Sequence, residues 1–155
     1  ALAVCLLELN NFSSQDFAKY HPGGALGKKL YLRVHDLVAN NEVPLVFPTT
    51  SINDVIIEIS KKRLGTTAVV ENEKIIGIIT DGDLRRMLKD NPNISKLTAS
   101  DIMSKNPKTI VSDAMAIEAL EKMETNQITQ ILVVDSTDKY VGVVHLHDLL
   151  KEGIF

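Results

Sequence analysis

Ile75-Ile76-Gly77-Ile78-Ile79-Thr80-Asp81-Gly82-Asp83-Leu84-Arg85-Arg86 decides the fold, because the chain repeats it. The second copy is Tyr140-Val141-Gly142-Val143-Val144-His145-Leu146-His147-Asp148-Leu149-Leu150-Lys151. Gly77 and Gly142 stand 65 positions apart, as do Asp83 and Asp148. Each copy is a short apolar run rich in β-branched residues, which reads as a strand. The run is continuous rather than alternating, as expected of a strand covered by helices. At Thr80 and at His145 the pattern turns polar, and a helix is predicted to open at Asp81-Gly82-Asp83 in one copy and at His147-Asp148 in the other.

The repeat extends outward from these segments. Asp36-Leu37-Val38 matches Asp101-Ile102-Met103 at the same offset of 65. Between the anchors the offset becomes 64: Ile52, Val55, Ile56 and Ile59 match Ala116, Ala119, Leu120 and Met123, and Val69-Val70 matches Val133-Val134. Constant spacing within elements and one-residue changes in loops mark a duplicated structural unit. Ile52, Val55, Ile56 and Ile59 form one helical face, with N-cap candidates at Pro48-Thr49-Thr50-Ser51. The partner helix is predicted from about Ser112-Asp113 to Asn126. Strands are expected at Leu45–Phe47, Thr67–Val70 and Ile75–Thr80, and again at Thr109–Val111, Gln130–Val134 and Tyr140–His145. Polar turns between the last two of each set make them hairpins. Each copy is therefore β-α-β-β-α, an α/β (α+β) unit. Two copies related by a pseudo-twofold axis would bury both faces of their sheets.

Composition narrows the function. The 155 residues are 45% hydrophobic and 24% charged, a globular composition. A chain of this length buries roughly two-thirds of its unfolded surface and needs no staples. With 17 basic against 20 acidic residues and a net charge of −3, it lacks the basic excess of a nucleic-acid binder. The apolar start, Ala1 to Leu7, is far shorter than the ~20 residues of a membrane span, so no membrane partner is expected. One cysteine, Cys5, excludes an internal disulfide and a Cys-based zinc cluster. The chain reads as cytoplasmic, and its lack of an initial Met is expected of a piece of a longer protein.

Thr80 ends a strand and Asp81-Gly82 opens a helix, whose N-terminus suits a phosphate. The Thr80 hydroxyl suits a phosphate oxygen, Asp83 suits ribose hydroxyls, and Arg85 or Arg86 suits phosphate charge. The plainer reading stands beside this one: Thr80 and Asp81 cap a helix and the arginines are a solvated face. Two short carboxylates, Asp81 and Asp83, do not make a metal site. In the second copy Asp148 keeps its place and His145 replaces Thr80. His145 suits an anion, or is a half-buried histidine with a backbone partner. That substitution favours one ligand site over two, or a ligand with an extra acid group.

Ala1 to Leu32 lies outside the repeat. Ala1 to Leu9 is apolar nearly all round and reads as a helix wanting burial in a larger core; a second short helix is expected from Ser14. His21-Pro22-Gly23-Gly24-Ala25-Leu26-Gly27-Lys28-Lys29 fails the P-loop spacing and reads as a Pro-Gly turn before a basic helix start.

The duplicated pattern resembles a tandem pair of CBS domains, with Gly77 to Asp83 similar to that family's Gly-h-h-Thr-x-x-Asp signature. The resemblance implies a non-catalytic module that binds a nucleotide-like ligand between its halves and relays occupancy to an attached protein. Asp16-Phe17-Ala18 and His21 to Lys28, together with residues 80–86 and 145–150, resemble the junction of the sugar isomerase (SIS) domain and CBS pair in arabinose 5-phosphate isomerases. That resemblance implies an SIS remnant over 1–33 and CBS domains at 34–96 and 97–155. It implies a parent enzyme interconverting D-ribulose 5-phosphate and D-arabinose 5-phosphate for Kdo synthesis, for lipopolysaccharide or capsule. His21 would belong to the catalytic site, whose remainder would precede Ala1, so the chain alone is expected to be inactive. The implied partners are the SIS domain, a second CBS pair in a homodimer within a tetramer, and a nucleotide or CMP-Kdo, with ligand residues Thr80, Asp83, Arg85, Arg86, His145 and Asp148. No resident cofactor or metal is expected. Three further readings stay open: an adenine-nucleotide sensor, a structural oligomerisation module with no ligand, and a stand-alone enzyme using His21, His145 and the Asp residues as acid–base groups.

Overall fold

The computed structural model describes residues 24–39, 41–90 and 94–155. The predicted helices at Ala1 to Leu9 and from Ser14, and His21, lie outside the described residues. In chain order the elements are α1 (Ala25–Tyr31), α2 (Val34–Val38), β1 (Leu45–Val46), α3 (Ile52–Lys62), β2 (Thr66–Glu71), β3 (Lys74–Thr80) and α4 (Asp81–Asp90). After a 3-10 turn at Ile94–Lys96 come α5 (Ala99–Ile102), β4 (Ser104–Lys105), β5 (Thr109–Val111), α6 (Ala116–Asn126), β6 (Gln130–Val134), β7 (Tyr140–His145) and α7 (Leu146–Lys151).

The predicted β-α-β-β-α order holds in both copies. In α3, Ser51 is the N-cap and its Oγ accepts from the Asp54 amide at 3.3 Å. Asp54 in the first turn and Lys61 and Lys62 in the last complement the helix dipole. Ile52, Val55 and Ile59 form its buried face, as their spacing predicts. Asn72 and Glu73 both take positive φ between β2 and β3, the backbone of a two-residue primed hairpin turn.

Strands β1-β2-β3-β4 form one sheet and β5-β6-β7 the other. Both hairpins shift register at the same place, between Val69 and Val70 and between Val133 and Val134. The sheets meet through buried Ala68, Val70, Leu132 and Val143, and helices cover their outer faces.

The short helix ahead of each copy packs on the other copy. Val34 and Leu37 of α2 are buried with Ala116, Met123, Ile131 and Leu149 of the second copy. Ala99 of α5 is buried with Val46, Ile52, Val69 and Ile79 of the first. Backbone bonds repeat the exchange. The Val34 and His35 amides donate to the Ala114 and Ser112 carbonyls at 2.9 and 2.8 Å. Those of Ala99 and Ser100 donate to the Thr50 and Pro48 carbonyls at 2.8 and 3.0 Å.

This exchange corrects the predicted start of α6. The helix begins at Ala116 rather than Ser112-Asp113, because residues 112–115 are stitched to α2, with Met115 also bridged to Arg33. Likewise α7 begins at Leu146, one residue before the predicted opening, with His145 as its N-cap.

Candidate functional site

Thr80 is both the last residue of β3 and the cap of α4. Asp83 Oδ2 accepts from the Thr80 amide at 2.8 Å and from its hydroxyl at 2.7 Å. The Asp83 amide returns a bond to Thr80 Oγ1 at 3.3 Å. This reciprocal pairing has the form of a capping box. The Asp81 amide donates to the Gly65 carbonyl at 3.1 Å. Three amides at the start of α4 are thus already committed, and the Thr80 hydroxyl with them. The capping role foreseen for Thr80 is realised.

Asp83 is buried, with Oδ1 accepting from Arg86 Nη2 at 2.7 Å and from Ser104 Oγ at 3.2 Å. Burial works to raise the pKa of its carboxyl. The bonds from the Thr80 hydroxyl and amide, then Arg86 and Ser104, outweigh burial and hold it below the usual carboxylate range. Ser104 belongs to β4, so Asp83 ties the two halves of the chain together.

Around this network lies a cleft of about 570 Å³. It is lined by Thr80 to Asp83 with Arg85 and Arg86, by the segment 104–108 and by the turn 127–130. Gly65 also lines it, with φ +64, where a Cβ would stand 3.3 Å from Asp81 Oδ2. Arg85 Nε donates to the Asp81 carbonyl at 3.2 Å, which leaves its terminal nitrogens for other acceptors. Lys105 and Lys108 enter no ion pair among the described residues. The cleft therefore gathers four cations and two carboxylates in a chain of net charge −3.

Four of the predicted ligand residues, Thr80, Asp83, Arg85 and Arg86, line this cleft; His145 and Asp148 do not. His145 Nδ1 accepts from the His147 amide at 3.0 Å, and its own amide donates to Asp148 Oδ2 at 3.0 Å. His145 is thus the half-buried histidine with a backbone partner. Asp148 Oδ2 also accepts from Asn41 Nδ2 at 2.9 Å. Sequence reasoning missed Ser104, Lys105, Asn106 and Lys108, and the turn 127–130. The polar run Ser104-Lys105-Asn106-Pro107-Lys108 was the available signal, but it looks like any solvated loop.

The CBS domain family matches residues 34–90 and 99–154. Among curated proteins, the chain is 50% identical over 152 residues to an arabinose 5-phosphate isomerase, KdsD, of Francisella tularensis, covering 97% of this chain and 46% of that protein. It is 42% identical over 156 residues to KdsD of Escherichia coli O6:H1, covering 99% of this chain and 47% of that one. The chain spans about half the length of these relatives. Among solved structures it resembles a CBS domain protein from Pyrobaculum aerophilum complexed with AMP. That match has a TM-score of 0.69 at 23% identity and covers 76% of this chain and 90% of the other. With both halves matched and the exchanged helices in place, the chain belongs to the CBS domain family and carries two of these domains in tandem.

Proposed function

We propose that the chain is the regulatory CBS pair of an arabinose 5-phosphate isomerase, and that it binds a nucleotide or nucleotide-sugar in the cleft between α4 and residues 104–108. The observation that carries this reading is the convergence of Arg85 and Arg86 from one half with Lys105 and Lys108 from the other. A phosphate placed there is attracted by cations of both halves, so binding draws the halves together and is felt by whatever they are attached to. The cleft is large enough for a nucleotide, and Asn106, Gln127 and Gln130 supply polar groups for a sugar or base. CMP-Kdo is the finer proposal: its carboxylate and phosphodiester give two anionic groups for this cation set, and an end product is a sensible signal. The AMP in the Pyrobaculum neighbour favours an adenine-nucleotide sensor as the second reading.

On this reading residues 1–33 end an SIS domain, and His21 belongs to its active site. That domain interconverts D-ribulose 5-phosphate and D-arabinose 5-phosphate in the cytoplasm for Kdo synthesis. The pairs dimerise within a tetramer, and the isolated chain does not isomerise.

Calorimetric titration with AMP, ATP, CMP and CMP-Kdo tests the proposal, with Lys108→Ala and Asp83→Ala as controls. Saturable heat that Lys108→Ala weakens at least tenfold supports the site. Preference for AMP or ATP selects the adenine sensor, and no heat from the folded chain leaves a structural module.

A further inference from the structure

We infer that each chain holds one anionic ligand, in the half built on Asp83, and that Asn41 commits the other half to a structural role. This rests on the ligand reading above.

The two halves differ in charge where they correspond in sequence. At the 65-residue offset, Arg85 corresponds to Leu150 and Arg86 to Lys151. Lys108 falls opposite Val43 or Pro44, on either side of the one-residue loop difference. The second half thus keeps a single cation of that set, with Leu150 in place of Arg85. A phosphate there would meet little charge to replace its hydration.

The halves also differ in how they use their asparagines. Asn106 lines the cleft and forms no side-chain hydrogen bond among the described residues. Asn41, its counterpart at the same offset, spends its amide inside the fold: Nδ2 donates to the Val143 carbonyl at 3.2 Å and to Asp148 Oδ2 at 2.9 Å. A ligand hydroxyl aimed at Asp148 Oδ2 would compete with that amide and with the His145 amide, which donates to the same oxygen at 3.0 Å. The exchange would replace one hydrogen bond with another and take a partner from Val143, so it offers no net gain. Asp83 is also bonded, yet its partners Arg86 and Ser104 themselves line the cleft and offer donors to a ligand there.

Titration of the 155-residue chain with CMP, AMP and CMP-Kdo as probes, scored for stoichiometry, tests this. One equivalent per chain is expected, removed by the double variant Arg85→Ala/Lys108→Ala. Asp148→Asn, near-isosteric and able to keep its fold, is expected to leave affinity within twofold. Two equivalents in the unaltered chain overturn the inference. So does an equivalent that survives the double variant, or a loss of more than twofold with Asp148→Asn. No binding of any probe by the folded chain is a different failure: it overturns the ligand reading itself, and this inference with it.

Discussion

Met103 lies directly over Gly77: a Cβ placed on that glycine would stand 2.6 Å from the Met103 sulfur and 2.9 Å from its Cγ. Gly77 sits in β3 of the first copy, and Met103 follows α5 at the start of the second. Val38 covers Gly142 in the same manner, at 3.4 Å from a would-be Cβ. The glycine of each signature segment is therefore a contact point, where the exchanged helix reaches the opposite sheet.

Gly77→Ala is expected to destabilise the fold by about 1–3 kcal/mol through overpacking. The crowded atoms include Met103 Cβ and Cγ, so a rotation of the methionine tip does not relieve them. Met103→Ala should recover part of that loss in the double variant. Urea midpoints of the two single variants and the double variant measure the coupling; simple additivity would show that the contact does not set the cost.

Asp83→Asn is expected to cost about 1–3 kcal/mol at neutral pH, because charged hydrogen bonds to Arg86, Thr80 and Ser104 are weakened inside the fold. The folded carboxyl titrates below its unfolded value of about 3.9. Its contribution is therefore complete above that value and lost as pH falls through the lower folded one. Urea unfolding at pH 7 and at pH 3 should show the gap between wild type and variant shrinking in acid. A gap independent of pH would place the loss in packing instead.

His145→Ala should cost about 0.5–2 kcal/mol, the usual value of an N-cap, since the imidazole accepts from the His147 amide. His145→Thr restores a cap acceptor and should return most of that loss. Because His145 lies outside the cleft, neither change is expected to alter nucleotide affinity. Thermal unfolding and titration on the same samples separate the two roles.

Tyr140 joins the halves through its hydroxyl, which donates to the Pro44 carbonyl at 2.8 Å. Burial, followed by the nearby Glu58 charge, pushes its phenol well above the usual tyrosine range. The neutral form is the one the fold stabilises, so that contribution is full below the unfolded pKa of about 10 and is lost as pH rises through the folded value. Phenolate absorbance should show one of the 3 tyrosines ionising only as the protein unfolds in alkali, and Tyr140→Phe should remove that step. Early ionisation of every tyrosine would contradict the burial.

The duplication, the element order and the hairpins were legible in the sequence, because each depends on neighbours a few residues apart. The apolar spacing of Ile52, Val55 and Ile59 specifies a helix face, and the runs ending at Thr80 and His145 specify strands. Thr80 as a cap of α4 was legible for the same reason, but the sequence paired it with Asp81 and the structure pairs it with Asp83. Local periodicity carried no information about where α2 and α5 dock. Each packs on the copy it does not precede in sequence, and residues 112–115 remain outside α6 as a result.

Asn41 and Asn106 divide what the chain specifies from what the fold decides. Sequence alone determines that they are the same residue at corresponding positions, near two aspartates that also correspond. Only the tertiary structure spends one amide on Asp148 and Val143 and leaves the other facing a cleft lined by four cations. The reason is physical: a side chain's partners are set by which distant segments reach it. Here those segments are separated by up to 107 positions along the chain.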